Sequence, residues 1–309
     1  MKKNKQKIVP HLWFNKEAEE AAAFYCSVFP DSVITSTQSL KNTPSGDTEI
    51  VSFELMGYAF QAISAGPLFQ FNSSISFMVN FDPSQDKEAR NRIDEIWGKL
   101  IRGGKALMPL DSYAFSERYG WVQDRYGLSW QLIFTNPEGD ERPLMLPSLL
   151  FVDDVHGKAE EASEFYISVF KDSLRGAIAR YPAGMEPDRE GTIMFTDFKL
   201  EKQWFVAMDS AREHGYHFNE AISFMVRCKD QEEVDFYWDK LSAVPESEQC
   251  GWLKDKFGLS WQIIPDDLGS MMQDKDPDKV ARVVQSFLKM KKIELAELFR
   301  SYDGNQVNQ

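Results

Sequence analysis

Gly120–Ile133 reads GWVQDRYGLSWQLI, and Gly251–Ile264 reads GWLKDKFGLSWQII. The two stretches are identical at nine of fourteen positions, which indicates an internal duplication. In each, an Asp-basic-aromatic-Gly run predicts a tight turn, because Gly accepts the positive φ that such a turn needs. The alternation that follows predicts a strand with Trp130 on one face and Ser129 and Gln131 on the other. We therefore expect helices against the Trp face and a cavity against the Ser and Gln face.

Length and charge narrow the class of protein. The 309 residues are enough for two domains that each bury a core. A net charge of -13 disfavours nucleic acid and anionic membranes as partners. Cys26, Cys228 and Cys250 are odd in number and lack CxxC spacing, which is typical of reduced thiols. No window has the apolar length of a membrane span. The sequence predicts a soluble, cytoplasmic protein with no nucleic-acid and no membrane partner.

Two further phrases are repeated along the chain. Ala18–Phe29 (AEEAAAFYCSVF) returns as Ala159–Phe170 (AEEASEFYISVF), and Phe71–Val79 (FNSSISFMV) returns as Phe218–Val226 (FNEAISFMV). We call the part of the chain with the first occurrence of these phrases copy one and the part with the second occurrence copy two. In each copy the first phrase predicts a helix and the second a strand. Together with the closing GW segment, they give two βαβββ modules per copy. The predicted boundaries are residues 8–135 for the first domain, 136–145 for a linker, 146–268 for the second domain and 276–302 for a C-terminal helical extension.

The copies differ most in one connection. Copy one carries Gly103–Arg118 (GGKALMPLDSYAFSER), and the spacing of copy two is sixteen residues shorter there. Connections of this kind can change length without disturbing the sheet. We expect the difference to make two cavities unequal.

The repeated phrases resemble the PhnB-like branch of the glyoxalase/bleomycin-resistance (vicinal oxygen chelate) superfamily, the group that carries the label 3-demethylubiquinone 3-methyltransferase. The tail Leu288–Leu298 (LKMKKIELAEL) matches as well. The resemblance implies an α+β fold of tandem glyoxalase-like domains, each with two βαβββ modules that form a cupped, eight-stranded mixed sheet around a small-molecule cavity. It also implies a homodimer.

The resemblance places metal-ligand positions on the first strand of each module and on the last strand of the cup. These are His11, Ser74 and Gln131 in copy one, with a possible fourth near Gln61, and Ser148, Ala221 and Gln262 in copy two. Ser and Ala are poor donors for a divalent cation, so we predict no cofactor. His11 and Gln131 are the weak metal candidates, and a divalent metal in the first domain is the alternative.

The residues predicted to bind a small organic molecule share a position on the inward face of a strand or beside it. Trp13, Trp121 and Trp252 could stack on a flat or cationic group. The full set is His11, Trp13, Ser74, Ser76, Trp121, Ser129, Gln131, Ser148, Ser223, Trp252, Ser260 and Gln262. No catalytic residue is predicted, because no serine has a His and carboxylate at a readable spacing.

Other polar residues have simpler interpretations. His214 and His217 are spaced as zinc ligands could be, but a solvated loop explains them better. Asp124 and Asp255 recur in the turn, where capping of the backbone is the simpler role. The sequence leaves two interpretations of Asp209, which are a position at the mouth of a cavity and a structural role.

Three functions follow from these patterns. The preferred one is a metal-independent protein that binds a small, partly aromatic or cationic organic molecule in each cup. The first alternative is a metal-dependent lyase, isomerase or dioxygenase active only in the first domain. A chiefly structural protein with one degenerate copy is the other. The methyltransferase label is disfavoured, because the only paired glycines, Gly103-Gly104, follow a helix rather than a strand.

Overall fold

The structure is a computed structural model that describes residues 6–43, 46–136 and 142–304. The strands are β1 (Ile8–Phe14), β2 (Val33–Thr43), β3 (Gly46–Leu55), β4 (Tyr58–Ser64), β5 (Ile75–Phe81), β6 (Lys105–Tyr113), β7 (Ser116–Gln123), β8 (Ser129–Phe134), β9 (Met145–Phe151), β10 (Leu174–Arg180), β11 (Ile193–Leu200), β12 (Gln203–Asp209), β13 (Ile222–Cys228), β14 (Trp252–Lys254) and β15 (Ser260–Pro265). The helices are α1 (Ala18–Val28), α2 (Ala89–Leu100), α3 (Ala159–Val169), α4 (Gln231–Leu241), α5 (Asp266–Met271), α6 (Pro277–Phe287) and α7 (Leu295–Asp303). Within the described ranges, no helix combines the length and apolar character needed to cross a membrane.

The strands form two mixed sheets. Sheet A has the order β14-β15-β13-β1-β4-β3-β2, and sheet B has the order β10-β11-β12-β9-β5-β8-β7-β6. In both, the pair at the centre is antiparallel, β1 with β13 and β9 with β5. The strands on either side of it are parallel to their central neighbours. The predicted α+β, glyoxalase-like fold with two cupped sheets is confirmed.

Each sheet takes one module from each copy. Sheet A joins the first module of copy one to the second module of copy two, and sheet B joins the remaining two modules. This exchange differs from the expectation that each copy would form its own sheet. The repeated modules present nearly the same edge strand, so β1 can pair with β13 as well as it could with β5. Strands β4 and β5, which follow each other in the sequence, therefore belong to different sheets.

Sheet B has eight strands in the described residues and sheet A has seven, and the difference comes from the segment that only copy one has. Strand β6 lies within Gly103–Arg118, and the described part of sheet A contains no equivalent strand. In copy two the C-terminal segment lies against this position instead. The Cys250 N–H donates to the Met290 carbonyl at 2.8 Å, and the Gly251 N–H donates to the Lys291 carbonyl at 2.8 Å. The C-terminal extension thus forms hydrogen bonds with the residues that directly precede β14 at the edge of sheet A.

The faces that carry the repeated tryptophans share one core. Trp130 and Trp261 are fully buried, and the ring centroid of Trp130 lies 4.9 Å from that of Phe29, which directly follows α1. The two sheets also touch directly, with ring centroids 4.9 Å apart for Phe60 and Phe77. We call this side of each sheet its core face and the opposite side its cup face. The expected placement of the repeated tryptophans against helices, on the face opposite Ser and Gln, is confirmed by the contacts of Trp130 with Tyr25 of α1 and of Trp261 with Tyr166 of α3.

The turn aspartates are structural, as predicted. Asp255 Oδ1 accepts from the backbone N–H of Phe257 and Leu259, at 2.8 and 3.1 Å. Its Oδ2 accepts from Trp261 Nε1 at 2.8 Å and from the Tyr166 hydroxyl at 2.7 Å. Asp124 makes the equivalent three bonds to its own turn and tryptophan. Each aspartate ties the turn to the core face of the strand that follows it.

Candidate ligand-binding site

A row of polar residues crosses the middle of sheet A. His11 on β1 lies beside Gln61 of β4 and beside Ser223 of β13, and Ser223 lies beside Ser260 of β15. Gln262, two residues further along β15, donates from Nε2 to Ser223 Oγ at 2.9 Å. The side chains of alternate residues share a face, so the cup face of sheet A carries four of the polar residues predicted for a site, which are His11, Ser223, Ser260 and Gln262.

A cavity of about 1130 Å³ lies against this cup face, and we call it cavity A. His11, Gln61 and Gln262 line it, together with Trp13 and Trp252. A volume of this order is large enough for a small organic ligand. Cavity A is therefore the hollow predicted against the Ser and Gln face.

Aromatic rings form one part of the lining. The rings of His11 and Trp252 meet edge to face with centroids 5.4 Å apart, and Trp13 lies 6.1 Å from Trp252. Trp13 Nε1 donates to the Gly66 carbonyl at 2.8 Å, which holds its ring in place. Such a fixed aromatic group favours stacking on a flat ligand, since little side-chain freedom is lost on binding.

His11 is neutral and incompletely bonded. Its side chain is 3% exposed, and burial lowers its pKa to about 3. Its Nδ1 atom is buried without a hydrogen-bond partner in the described chain. A buried polar atom without a partner is costly, and a bound molecule or water can satisfy it. His11 therefore offers a polar contact to whatever occupies cavity A.

The chain after β15 supplies some of the apolar lining. Leu268 of α5, Met272 just after it and Phe287 of α6 line cavity A. The predicted helical extension over residues 276–302 includes Phe287 but not α5, and none of these residues was predicted to belong to the site. The signal was present in the apolar spacing of α6, but spacing alone does not tell which surface a helix covers.

Sheet B has a different cup face. A cavity of about 220 Å³ lies against it, and we call it cavity B. Met78, Leu146 and Val206 pack together there as a small buried cluster. The Tyr119 hydroxyl donates to Gln131 Oε1 at 2.8 Å, and Gln131 Nε2 donates to Ser76 Oγ at 2.8 Å. Both the oxygen and the nitrogen of the Gln131 amide thus have hydrogen-bond partners within the protein.

The remaining predicted residues of sheet B also have protein partners or lie apart. Ser129 Oγ is 2.9 Å from Ser73 Oγ, and Ser148 Oγ lies 3.4 Å from Gln131 Nε2. Ser74 precedes β5 and donates to Asn72 Oδ1 at 2.6 Å. Trp121 neighbours Gln131 across β7 and β8, and its buried Nε1 has no partner in the described residues.

Two expectations about grouping are wrong. His11 is on sheet A, whereas Ser74 and Gln131 belong with sheet B, so the metal positions mapped onto copy one do not form one group. The exchange of modules is the reason, because it places β1 with β13 and β15 rather than with β5 and β8. Ser148 and Gln262 are separated in the same way.

Asp209 does not lie at a cavity mouth. It is 1% exposed, and its carboxylate accepts from the N–H groups of Gly157, Ala159 and Ile193 at 2.8, 3.1 and 2.9 Å. These contacts hold the start of α3 against sheet B. His214 lies in a loop, as predicted, where its Nε2 is 2.9 Å from Ser210 Oγ.

The groups around His11 do not fit a divalent metal. Its neighbours are amides and hydroxyls from Gln61, Ser223 and Gln262, and the row contains no carboxylate or second imidazole. Stable sites for zinc, manganese or iron use several imidazole, thiolate or carboxylate ligands. Across the described ranges, no cluster of three or more His, Cys, Asp or Glu side chains has a spacing that could hold a metal.

Comparison with known proteins gives consistent matches. The family profile described as 3-demethylubiquinone-9 3-methyltransferase matches residues 6–133 and 144–264. A PhnB protein from Bacillus cereus is 37% identical over 42% of this chain and 100% of its own, with a TM-score of 0.37. Glyoxalase I from Zea mays is 11% identical over 87% of this chain and 97% of its own, with a TM-score of 0.53, a likeness of fold alone. No curated protein matches the chain.

Proposed function

The chain belongs to the family described as 3-demethylubiquinone-9 3-methyltransferase, and from this premise we propose that it binds one small, flat aromatic molecule in cavity A without a metal. The inequality of the two cups carries the proposal. Cavity A measures about 1130 Å³ against about 220 Å³ for cavity B. The larger one also holds the unpartnered Nδ1 of His11 beside Trp252. The sequence-based expectation was that both cups bind a ligand, and the proposal places binding in the cup of sheet A alone.

The two sheets provide a matched pair of variants. Trp252 lines cavity A, and Trp121 is its counterpart in the repeated motif. Binding of p-cresol, toluene and benzyltrimethylammonium would be measured by calorimetry in EDTA. We expect Trp252→Ala to weaken the binding of the probes by about two- to tenfold, since it removes an aromatic contact worth about 0.5–1.5 kcal/mol, and Trp121→Ala to leave their binding unchanged. Absence of binding by every probe to the wild-type chain would refute the proposal.

We do not propose metal-dependent catalysis, because the neutral amides and hydroxyls beside His11 are weak ligands. Elemental analysis of the purified protein tests this point, and a stoichiometric metal lost in His11→Ala would overturn it. Methyl transfer is not proposed either. In the structure Gly103-Gly104 lie between α2 and β6, so they open a strand rather than the helix that a nucleotide-type methyl donor requires.

A cytoplasmic location and a homodimer stay predictions. The three cysteines are free thiols, which supports a reducing compartment. Both central strand pairs form within one chain, so neither cup requires a second copy. Light scattering would measure the oligomeric state.

A further inference from the structure

The two cups are related by the duplication, so residues of one have counterparts in the other. The motifs at Gly120 and Gly251 align Gln131 with Gln262 and Trp121 with Trp252. The strand neighbours agree, since Gln131 lies beside Met78 and Trp121, and Gln262 beside Met225 and Trp252. Each glutamine also donates from Nε2 to the serine of the adjacent strand, at 2.8 Å in sheet B and 2.9 Å in sheet A. The two amides therefore have the same orientation.

The cups differ in what reaches the other end of the amide. In sheet B, Oε1 of Gln131 accepts from the Tyr119 hydroxyl at 2.8 Å. Burial holds the pKa of Tyr119 well above its usual value, so this hydroxyl keeps its proton and remains a donor. The equivalent residue of copy two is Cys250, which immediately precedes Gly251 as Tyr119 precedes Gly120. A thiol replaces a whole phenol ring at this position.

The replacement leaves room in cavity A. Cys250 and Gln262 both line the cavity, but the Cys250 thiol donates to the Leu288 carbonyl at 3.6 Å. None of the described side chains donates to Gln262 Oε1, whereas its counterpart in sheet B is satisfied. Phe287 and Met272 line the same cavity, as Tyr113 and Phe115 surround Tyr119 in sheet B. Tyr119 thus has the place in its own cup that a bound ring would have in the other.

We propose that cavity A takes a phenol, whose hydroxyl donates to Gln262 Oε1 as the Tyr119 hydroxyl donates to Gln131 Oε1. This inference rests on the proposed function and specifies its ligand class. A hydroxyarene is favoured over a plain aromatic hydrocarbon because it meets an acceptor that is otherwise left without a donor. An aryl ether cannot donate this bond.

Three probes of similar shape test the hydroxyl on the wild-type chain. Calorimetry would compare p-cresol, which is the side chain of tyrosine, with toluene and 4-methylanisole. We expect p-cresol to bind about tenfold more tightly than either, the effect of one hydrogen bond. Equal affinity for the three would overturn the phenol assignment while leaving aromatic binding intact. If none binds, the proposed function itself fails.

Two variants, each with a matched control, locate the contact. Gln262→Leu is expected to abolish the preference for p-cresol, whereas Gln131→Leu, the matched change in sheet B, keeps it. Cys250→Tyr supplies a phenol from the chain and is expected to block p-cresol, whereas Cys250→Ala still binds it. A preference that survives Gln262→Leu, or unchanged p-cresol affinity in Cys250→Tyr, would contradict the proposal.

Discussion

At the scale of single residues, the buried aspartates of the repeated turn carry much of the local order. Asp255 has four donors on its two oxygens, and two of them, the Trp261 and Tyr166 side chains, lie in the core between the sheets. An asparagine keeps the shape but turns one acceptor into a donor, so the donors to Oδ2 lose their partner.

We therefore expect Asp255→Asn to lower the free energy of unfolding by roughly 2–4 kcal/mol, because buried donors are left unsatisfied. Urea denaturation measures the change. Asp239→Asn, on an exposed part of α4, is the control and should change stability by less than about 0.5 kcal/mol. Equal effects of the two variants would show that the four bonds contribute nothing specific.

The contribution of Asp255 to the free energy of unfolding depends on pH with a definite sign. Burial raises the pKa of Asp255 to about 6 from a usual value of 3.8, so the folded state binds the proton more tightly than the unfolded state. The associated stability is present below about pH 4 and is lost as the pH rises through about 6.

The loss of stability caused by Asp255→Asn should consequently be larger at pH 4 than at pH 7, by up to about 3 kcal/mol. Urea titrations of both proteins at the two pH values give the comparison. A difference that is independent of pH, or that grows toward neutral pH, would contradict the raised pKa.

At the scale of elements, Gly251 joins β14 to the C-terminal segment. Its φ is +85°, and an added Cβ would lie 2.8 Å from Ile264 Cδ1 and 3.1 Å from the Ile263 carbonyl oxygen. Gly258, in the following turn, has φ +83°, but a Cβ added there would meet open space. The two positions therefore share backbone strain and differ in crowding.

We predict that Gly258→Ala costs about 1–2 kcal/mol, from the left-handed backbone alone, and that Gly251→Ala costs about 1–3 kcal/mol more. Thermal unfolding of both variants would measure this. If the two substitutions cost the same, the close packing of Gly251 against Ile263 and Ile264 of β15 is not what the structure indicates.

Sequence patterns predicted the elements well but not their pairing. The alternation around Trp130 and Gln131 fixed which side chains face the core, because the period of a strand is a local property. The partner of β1 depends on which of two similar edge strands is nearer in the folded chain, and no local pattern records that. His11 and Gln131 were grouped for this reason. The role of Asp209 was also hidden, since its three donors come from residues about 16 to 52 positions away.

At the scale of the whole molecule, the exchange of modules can be detected by crosslinking. Val9 and Met225 are neighbours on β1 and β13, whereas Met78 is the counterpart of Met225 in copy one. We expect the pair Val9→Cys with Met225→Cys to form a disulfide, in a chain whose native cysteines are replaced by alanine.

The pair Val9→Cys with Met78→Cys is the matched control and should stay reduced, because its strands belong to different sheets. Electrophoretic mobility before and after reduction reports the link. A crosslink in the control pair alone would mean that each copy forms its own sheet.

Ligand binding in cavity A rather than in the cup of sheet B is the central claim, and a crystal soaked with 4-bromophenol in EDTA tests it most directly. The bromine atom would be located by anomalous diffraction. The account predicts one bromine position per chain, in cavity A near Gln262 and Trp252. A bromine position in the cup of sheet B, or none in cavity A at saturating ligand, would contradict it.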